Sequence, residues 1–323
     1  MLRQLPVFVL LLSIAGLVRA QDKTDLAWKF EKDKSFFQEL TTKTTQAIKV
    51  QGLDVNQIQE QTFYFKWTPV KQDGDKWQVK QVIEGVKMKI DIAGNPITFD
   101  STNATATANT ALSEFFKALV GAEFTLTLNK DMKVEKVEGR DEFLKKLSAA
   151  NQQMEPLLKK ILSEEALKQM ADPTFGIMKK DAKKDEKWVN EVKLDLGPIG
   201  SYATTYNYTY KGKDATKTDL DRIETTVNLV YTAPKDSDGS LPFKIVGADL
   251  KASDKSAGTI LFNTKLGRVE TMDLNIKVNG TLNVEIGGQK STVELSQDQT
   301  TSVKTASESF VNKPAVTAPV PPK

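Results

Sequence analysis

Apolar and polar residues alternate along most of this chain, in runs rich in Thr, Val, Ile and aromatics and punctuated by Gly, Asp, Asn and Pro. A period of two places successive side chains on opposite faces of a strand, so the pattern predicts a mainly β protein. Phe63, Phe65 and Trp67 mark one strand's apolar face and Tyr64 and Lys66 its other face. Gln57, Gln59 and Gln61 precede them and indicate that part of this strand is wet. Asp73-Gly74-Asp75 predicts a turn into Trp77, Val79, Gln81 and Ile83. Gly85 predicts a bulge before Val86, Met88, Ile90 and Ile92 resume the alternation. A hairpin over residues 55–92 is the clearest element.

The period changes in the centre of the chain. Leu112, Phe115, Phe116 and Leu119 fall at helical spacing, with Gly121 where a left-handed residue would end the helix. Asp141 is expected to cap a second helical region carrying Phe143, Leu147, Ala150, Met154, Leu157, Ile161 and Leu162, split in two at Pro156. Ser163 is expected to cap a last helix through Leu167 and Met170, ended by Asp172-Pro173. These helices should lie on a sheet. Lys179 to Asp185 mixes lysine with aspartate and reads as a solvated linker to the second strand block.

Strands return at Trp188 to Leu196, Tyr202 to Tyr210, Ile223 to Tyr231, Thr259 to Phe262, Val269 to Val278 and Leu282 to Ile286, with Gly287-Gly288 as a tight hairpin. The chain thus divides into a first strand block (21–110), a helical segment with a hairpin (111–175), a second strand block (186–308) and a proline-rich tail (309–323) expected to be disordered. Two weak internal echoes run through it. Leu126 to Lys130 with Val134-Glu135 is similar to Ile260 to Thr264 with Val269-Glu270, and Trp77 and Trp188 each follow a charged turn. The fold class is α+β, mostly β: long antiparallel strands in one curved sheet or two related lobes, helices packed on the apolar face.

Composition narrows the chemistry. There is no cysteine and no histidine, which excludes disulfides, thiolate and imidazole metal sites, and Ser-His-Asp or Cys-His catalysis. Arg3, an apolar run from Leu5 to Val18 and the Val18-Arg19-Ala20 end read as an export signal cleaved after Ala20; at about 14 residues the run is too short to span a bilayer. The mature protein is therefore expected in the periplasm or outside the cell, with no membrane span. Removal of Arg3 and Arg19 lowers the formal charge from +3 to +1, so nothing favours nucleic acid.

Tyr202, Tyr206, Tyr208 and Tyr210 share one strand face and hold four of the six tyrosines. They form a candidate binding face for sugar or lipid, with ordinary packing under the helices as the competing explanation. The carboxylate pairs Asp73 with Asp75, Asp219 with Asp221, and Glu164 with Glu165 could serve glycoside hydrolysis, but their positions in turns and a first helical turn fit solvated or capping roles. Asp236 to Gly239 lacks the spacing of a calcium loop. Asn103, Asn207 and Asn279 open glycosylation sequons, which matter only in a eukaryotic secretory pathway. No metal, cofactor or catalytic residue is expected.

Phe115 to Gly121, the Val137 to Asp141 turn, Gln152 to Leu158, Ala171 to Phe175, Leu196 to Tyr202 and Leu241 to Lys244 together resemble a family of exported bacterial proteins of unknown function. The resemblance implies a mostly β exported protein and carries over no functional residue. A curved sheet closed by helices makes a cavity, so a non-catalytic binding protein holding an apolar or lipid ligand is the leading expectation. A structural or interaction protein of the cell envelope is the alternative, and a carboxylate-dependent polysaccharide hydrolase is less favoured.

Overall fold

The computed structural model describes residues 23–103, 111–235, 241 and 243–311. The stretch from Met1 to Ala20 read as an export signal, the Asp236 to Gly239 sequence and the Pro-rich stretch from Lys313 onward fall outside them. Among these described residues there are fifteen strands and four α-helices. The N-terminal strands are β1 (Thr24–Leu26), β2 (Phe36–Val50), β3 (Leu53–Asp73), β4 (Lys76–Ile92) and β5 (Asn95–Asp100). Helix α1 (Ala111–Leu119), the hairpin β6 (Glu123–Leu128) and β7 (Val134–Glu138), then α2 (Arg140–Ala150), α3 (Glu155–Ile161) and α4 (Glu164–Phe175) make the middle. The C-terminal strands are β8 (Lys179–Ala182), β9 (Lys187–Asp195), β10 (Ser201–Lys213), β11 (Asp221–Thr232), β12 (Lys244–Ala252), β13 (Ala257–Asn263), β14 (Arg268–Ile286) and β15 (Gln289–Ala306).

Thirteen strands form one antiparallel sheet in the order β7-β6-β4-β3-β2-β15-β14-β12-β11-β10-β9. β5 pairs beside β6 on β4, and β13 sits below β12 between β14 and β11. It is therefore one curved sheet, made of two meanders joined where β2 pairs with β15. In each meander the fourth strand is interrupted: β5 and β6 lie end to end along β4, as β12 and β13 lie along β14. The first sequence echo maps onto this correspondence, since β6–β7 and β13–β14 are the hairpins after the interruption. The tryptophan echo does not, because Trp77 opens the third strand of its meander and Trp188 the first.

The chain leaves the first meander at β7, one edge of the sheet, and enters the second at β9, the other edge. Helices α2 to α4 span that distance, and α4 packs against both edge strands. A sheet whose two edges touch one twelve-residue helix is strongly curved, with the helix across its opening. Below α4 the lower end is filled by an aromatic cluster. Phe175, fully buried, meets Trp28, Phe30 and Trp67 edge-on at 5.2, 6.1 and 5.4 Å between ring centroids. Each such pair adds about 0.5–1.5 kcal/mol beyond the area it buries.

Local expectations are met at the Asp73-Gly74-Asp75 turn, and at the bulge, where the β3–β4 register jumps between Tyr64↔Gly85 and Phe65↔Ile83. Pro156 opens α3 after a break, and the Ser163 hydroxyl accepts the Ala166 N–H at 3.1 Å. Four others are corrected. Helix α2 is preceded by Gly139 in the left-handed region rather than capped by Asp141, which lies in its first turn beside Arg140. Helix α4 runs on through Asp172-Pro173 to Phe175, whose complete burial anchors the last turn. Lys179 to Ala182 is a strand paired with β1, its Ala182 fully buried, rather than a solvated linker. Residues 268–286 form one strand with no break near Gly280.

Gly280 is what lets that strand continue. Its φ is +147°, and a Cβ there would sit 1.8 Å from the Asp249 carbonyl oxygen of β12. Gly280→Ala is therefore expected to cost about 3 kcal/mol, combining an unfavourable backbone conformation with a backbone clash. Urea denaturation measures it, and a loss below about 0.5 kcal/mol, the range of neutral surface changes, would contradict this register.

Candidate functional site

Cross-strand pairing fixes which residues share a face. Across the first junctions the inner face runs Trp67, Phe36 and Ala306's neighbour Thr305 at the level of Gln38, then upward through Leu40, Phe63 and Val303. Further across it continues through Met272, Leu274, Ile276 and Val278 of β14 and Ile223, Thr225, Val227, Leu229 and Tyr231 of β11. The inner positions of the large sheet are apolar, aromatic or neutral polar. The charged exceptions are Asp221 and Lys213, which pair at the lower rim. Charges occupy the outer positions instead, as in Lys49 opposite Asp54 and Glu294, or Glu60 opposite Lys43 and Lys89.

All four candidate tyrosines lie on the inner face of β10, opposite Tyr231, Val227, Thr225 and Ile223 of β11. The structure separates their surroundings. Tyr208 and Tyr210 are buried, Tyr202 and Tyr206 half-buried. Tyr202 packs on Tyr231, whose hydroxyl donates to the Ile199 carbonyl. Tyr206 and Tyr208 stack at 6.1 Å, and Trp188 of β9 lies 5.4 Å from Tyr208. Tyr210 belongs to a polar knot instead. Its hydroxyl donates to Asp221 Oδ1 at 2.7 Å and lies 3.0 Å from the Thr24 hydroxyl.

A cavity of about 230 Å³ opens beside Tyr206 and Tyr208. Met170 and Thr174 of α4 close it on one side, with Leu274 and Ile276 of β14 and Gln299 of β15 on the other. Among the described residues neither tyrosine hydroxyl has a hydrogen-bond partner, and burial raises the pKa of both. The indole Nε1 of Trp188 is also buried without a partner among them, as are those of Trp28 and Trp67. The walls are thus mostly apolar with a few polar groups directed inward, the usual make-up of a small-molecule site. The volume exceeds the ~150 Å³ that holds benzene but falls short of the ~300 Å³ at which pockets enclose larger ligands. Anything longer would extend along the inner wall above.

That wall carries glutamines. Gln57, Gln59 and Gln61 on β3, Gln46 on β2 and Gln297 and Gln299 on β15 are half-buried and adjoining, with Gln46 Nε2 donating to Gln297 Oε1 at 2.6 Å. Aliphatic residues flank them: Met88, Ile90 and Ile92 on β4, and Leu274, Ile276 and Val278 on β14.

The carboxylate pairs are not brought together. Asp73 and Asp75 are exposed at a hairpin tip, and Glu164 and Glu165 are exposed at the start of α4. Asp219 is exposed, but Asp221 is fully buried, contrary to the solvated role expected for it. It accepts from Tyr210, from Lys213 Nζ at 2.7 Å and from Thr264 Oγ1 at 3.1 Å. No local signal distinguishes Asp221 from Asp219; only the β10–β11 register does. Asp214 holds the preceding turn by accepting from the Lys217 N–H and from the hydroxyl and N–H of Thr216, which keep its carboxyl well below the usual range. No cluster of three metal-ligating side chains occurs among the described residues. Asn207 and Asn279 lie exposed on strands of the outer face.

Burial, reinforced by Asp221, pushes Tyr210 up to about 12, and burial also pushes Tyr231 up to about 12. Below pH 10 both are neutral in either state, and their contribution is complete. Between about 10 and 12 the unfolded chain releases these protons first, so stability falls as pH rises, by up to about 1.4 kcal/mol per unit for each group. Denaturant midpoints from pH 9 to 11.5 measure this slope. Tyr210→Phe is expected to flatten it, and an unchanged slope would contradict the assignment.

No curated protein matches the chain. Several solved structures show weak likeness, three of which follow. Lipovitellin, from a structure titled for its lipid–protein interactions, is 10% identical, with 90% of this chain and 27% of that chain covered and a TM-score of 0.46, so the chain spans about a quarter of its length. DynF from the dynemicin pathway of Micromonospora chersina is 8% identical over 87% and 84% at 0.20, and the outer membrane protein OprG of Pseudomonas aeruginosa 6% over 86% and 99% at 0.18. At these scores the function is left to the chain's own residues. Residues 74–222, from the β3–β4 turn to the start of β11, match the model of a family of unknown function (DUF6263), which accords with the resemblance read from the sequence.

Proposed function

We propose that this is an exported, non-catalytic binding protein that holds an apolar small molecule of the lipid class between the curved sheet and helix α4. The observation that carries the reading is the segregation of charge. Long strands, up to 21 residues in β3, keep charged residues on the outer face and present a neutral, largely apolar inner wall that leads into the 230 Å³ cavity. A filled protein interior needs no such length. The upper inner wall is buried at Met88, Leu250, Val278 and Val284 but only half-buried at Ile90, Ile276, Leu295 and the glutamines. Half-buried aliphatic surface facing a trough gains about 25 cal/mol for each Å² that a ligand covers.

The distribution is also the reverse of a membrane-spanning barrel, which turns an apolar band outward and polar residues inward. No described helix is long and apolar enough to cross a membrane. A second reading, an envelope interaction protein, draws support from Leu53, Ile92 and Ile286. These are 68, 42 and 55% exposed at hairpin ends along the upper rim. Such a rim also suits entry of an apolar ligand.

The test is to purify the full chain after export from a bacterial host, extract it with organic solvent and analyse the extract by mass spectrometry. A lipid at close to one equivalent is expected, and Ile276→Trp, which fills the cavity, is expected to lower its yield at least tenfold without changing the folded far-UV spectrum. A folded protein that yields no lipid, and binds none when mixed with dispersed lipids, would move the assignment to the interaction reading.

A further inference from the structure

Resting on that reading, we infer that the ligand's polar part is uncharged, and that the glutamine ladder on β2, β3 and β15 is the site that receives it. Gln57, Gln46 and Gln297 lie abreast on the inner wall, and Gln59 and Gln299 flank Thr44 of β2 one step below, with Gln61 next along β3, so a strip of neutral amides and a hydroxyl crosses three strands. Their mutual bonds are sparse: Gln46 to Gln297 at 2.6 Å, and Gln57 to Gln59, Gln59 to Gln61 and Gln297 to Gln299 at 3.4 Å each. A primary amide offers two N–H groups and two oxygen lone pairs, so every member keeps at least one donor and one acceptor for a ligand. Gln299 also lines the cavity beside Tyr208, which makes ladder and cavity one continuous surface.

The chemistry of this surface selects by charge. A carboxylate, phosphate or ammonium group placed on the ladder would lose hydration and meet no counter-ion. The inner wall's charged pair, Asp221 with Lys213, lies at the lower rim, and Asp221 is already satisfied by Tyr210 and Thr264 as well. Burying an unpaired charge is far costlier than burying a neutral group that can be hydrogen-bonded. Ester carbonyls, hydroxyls and amides, by contrast, each need one donor or one acceptor, which the glutamines supply. The class that fits is a neutral acyl ester or amide, such as a monoacyl- or diacylglycerol, with its chain in the cavity and against the aliphatic flanks.

The experiment uses delipidated full-length protein and three probes of equal chain length: a monoacylglycerol, the free fatty acid and a lysophosphatidylglycerol, followed at pH 8 by quenching of tryptophan fluorescence. The monoacylglycerol is expected to bind at least tenfold more tightly than either anion. The fatty acid should tighten as the pH is lowered and its carboxyl becomes neutral. Gln59→Lys places a cation in the middle of the ladder and is expected to reverse the order, favouring the anions; because this is a gain of affinity, misfolding cannot produce it. Equal affinities, or anions preferred by the unaltered protein, would overturn the inference while leaving the binding reading intact. Failure of all three probes to bind would overturn the binding reading itself.

Discussion

The fold depends on one connection. The chain finishes its first meander at β7 and begins its second at β9, and these are opposite edges of a single sheet. A sheet that stayed open could not be bridged by the short helices α2 to α4, so the strands must curve until α4 touches both edges. Phe175 holds this arrangement at its lowest point. It terminates α4 and packs edge-on against three other rings contributed by the N-terminal segment and β3. Curvature, cavity and the covered lower end all follow from that bridging.

Once the sheet is curved, its two faces meet different conditions, and the sequence is divided accordingly. Outer positions alternate lysine with acidic residues that pair across strands, such as Lys277 with Asp298 at 2.7 Å. Inner positions carry rings at the bottom, a tyrosine pair beside the cavity, and neutral amides framed by aliphatics above. Exposed ion pairs contribute little to stability. Their value here lies in keeping the outer face solvated and the inner face the more apolar of the two.

Much of this was legible in the sequence. The 55–92 hairpin, its bulge at Gly85 and the helices around Pro156 follow from periodicity and turn chemistry, because those signals are local. The one-face placement of Tyr202, Tyr206, Tyr208 and Tyr210 follows from the period of a strand. What could not be read was set by register and by contacts distant in sequence. Asp221 and Asp219 look alike until β10 and β11 are paired. Met170 and Ile276 are ordinary apolar residues until α4 crosses the sheet. Gln57, Gln59 and Gln61 signalled a wet strand but not a strip continued on β2 and β15. Gly280, in the gap between the strands expected at Val269 to Val278 and Leu282 to Ile286, is a close approach to β12, and Lys179 to Ala182 acquires its strand from a partner more than 150 residues away.

The most direct test of a neutral inner wall as the binding surface is a solution NMR titration of protein with ring-labelled tyrosine, using a spin-labelled monoacylglycerol. Resonances of Tyr206 and Tyr208, which face the cavity, are predicted to broaden at one equivalent, whereas Tyr64, which packs on the outer face against Phe310, stays sharp. Broadening of Tyr64 with the other two unaffected, or no selective broadening at all, would contradict the account.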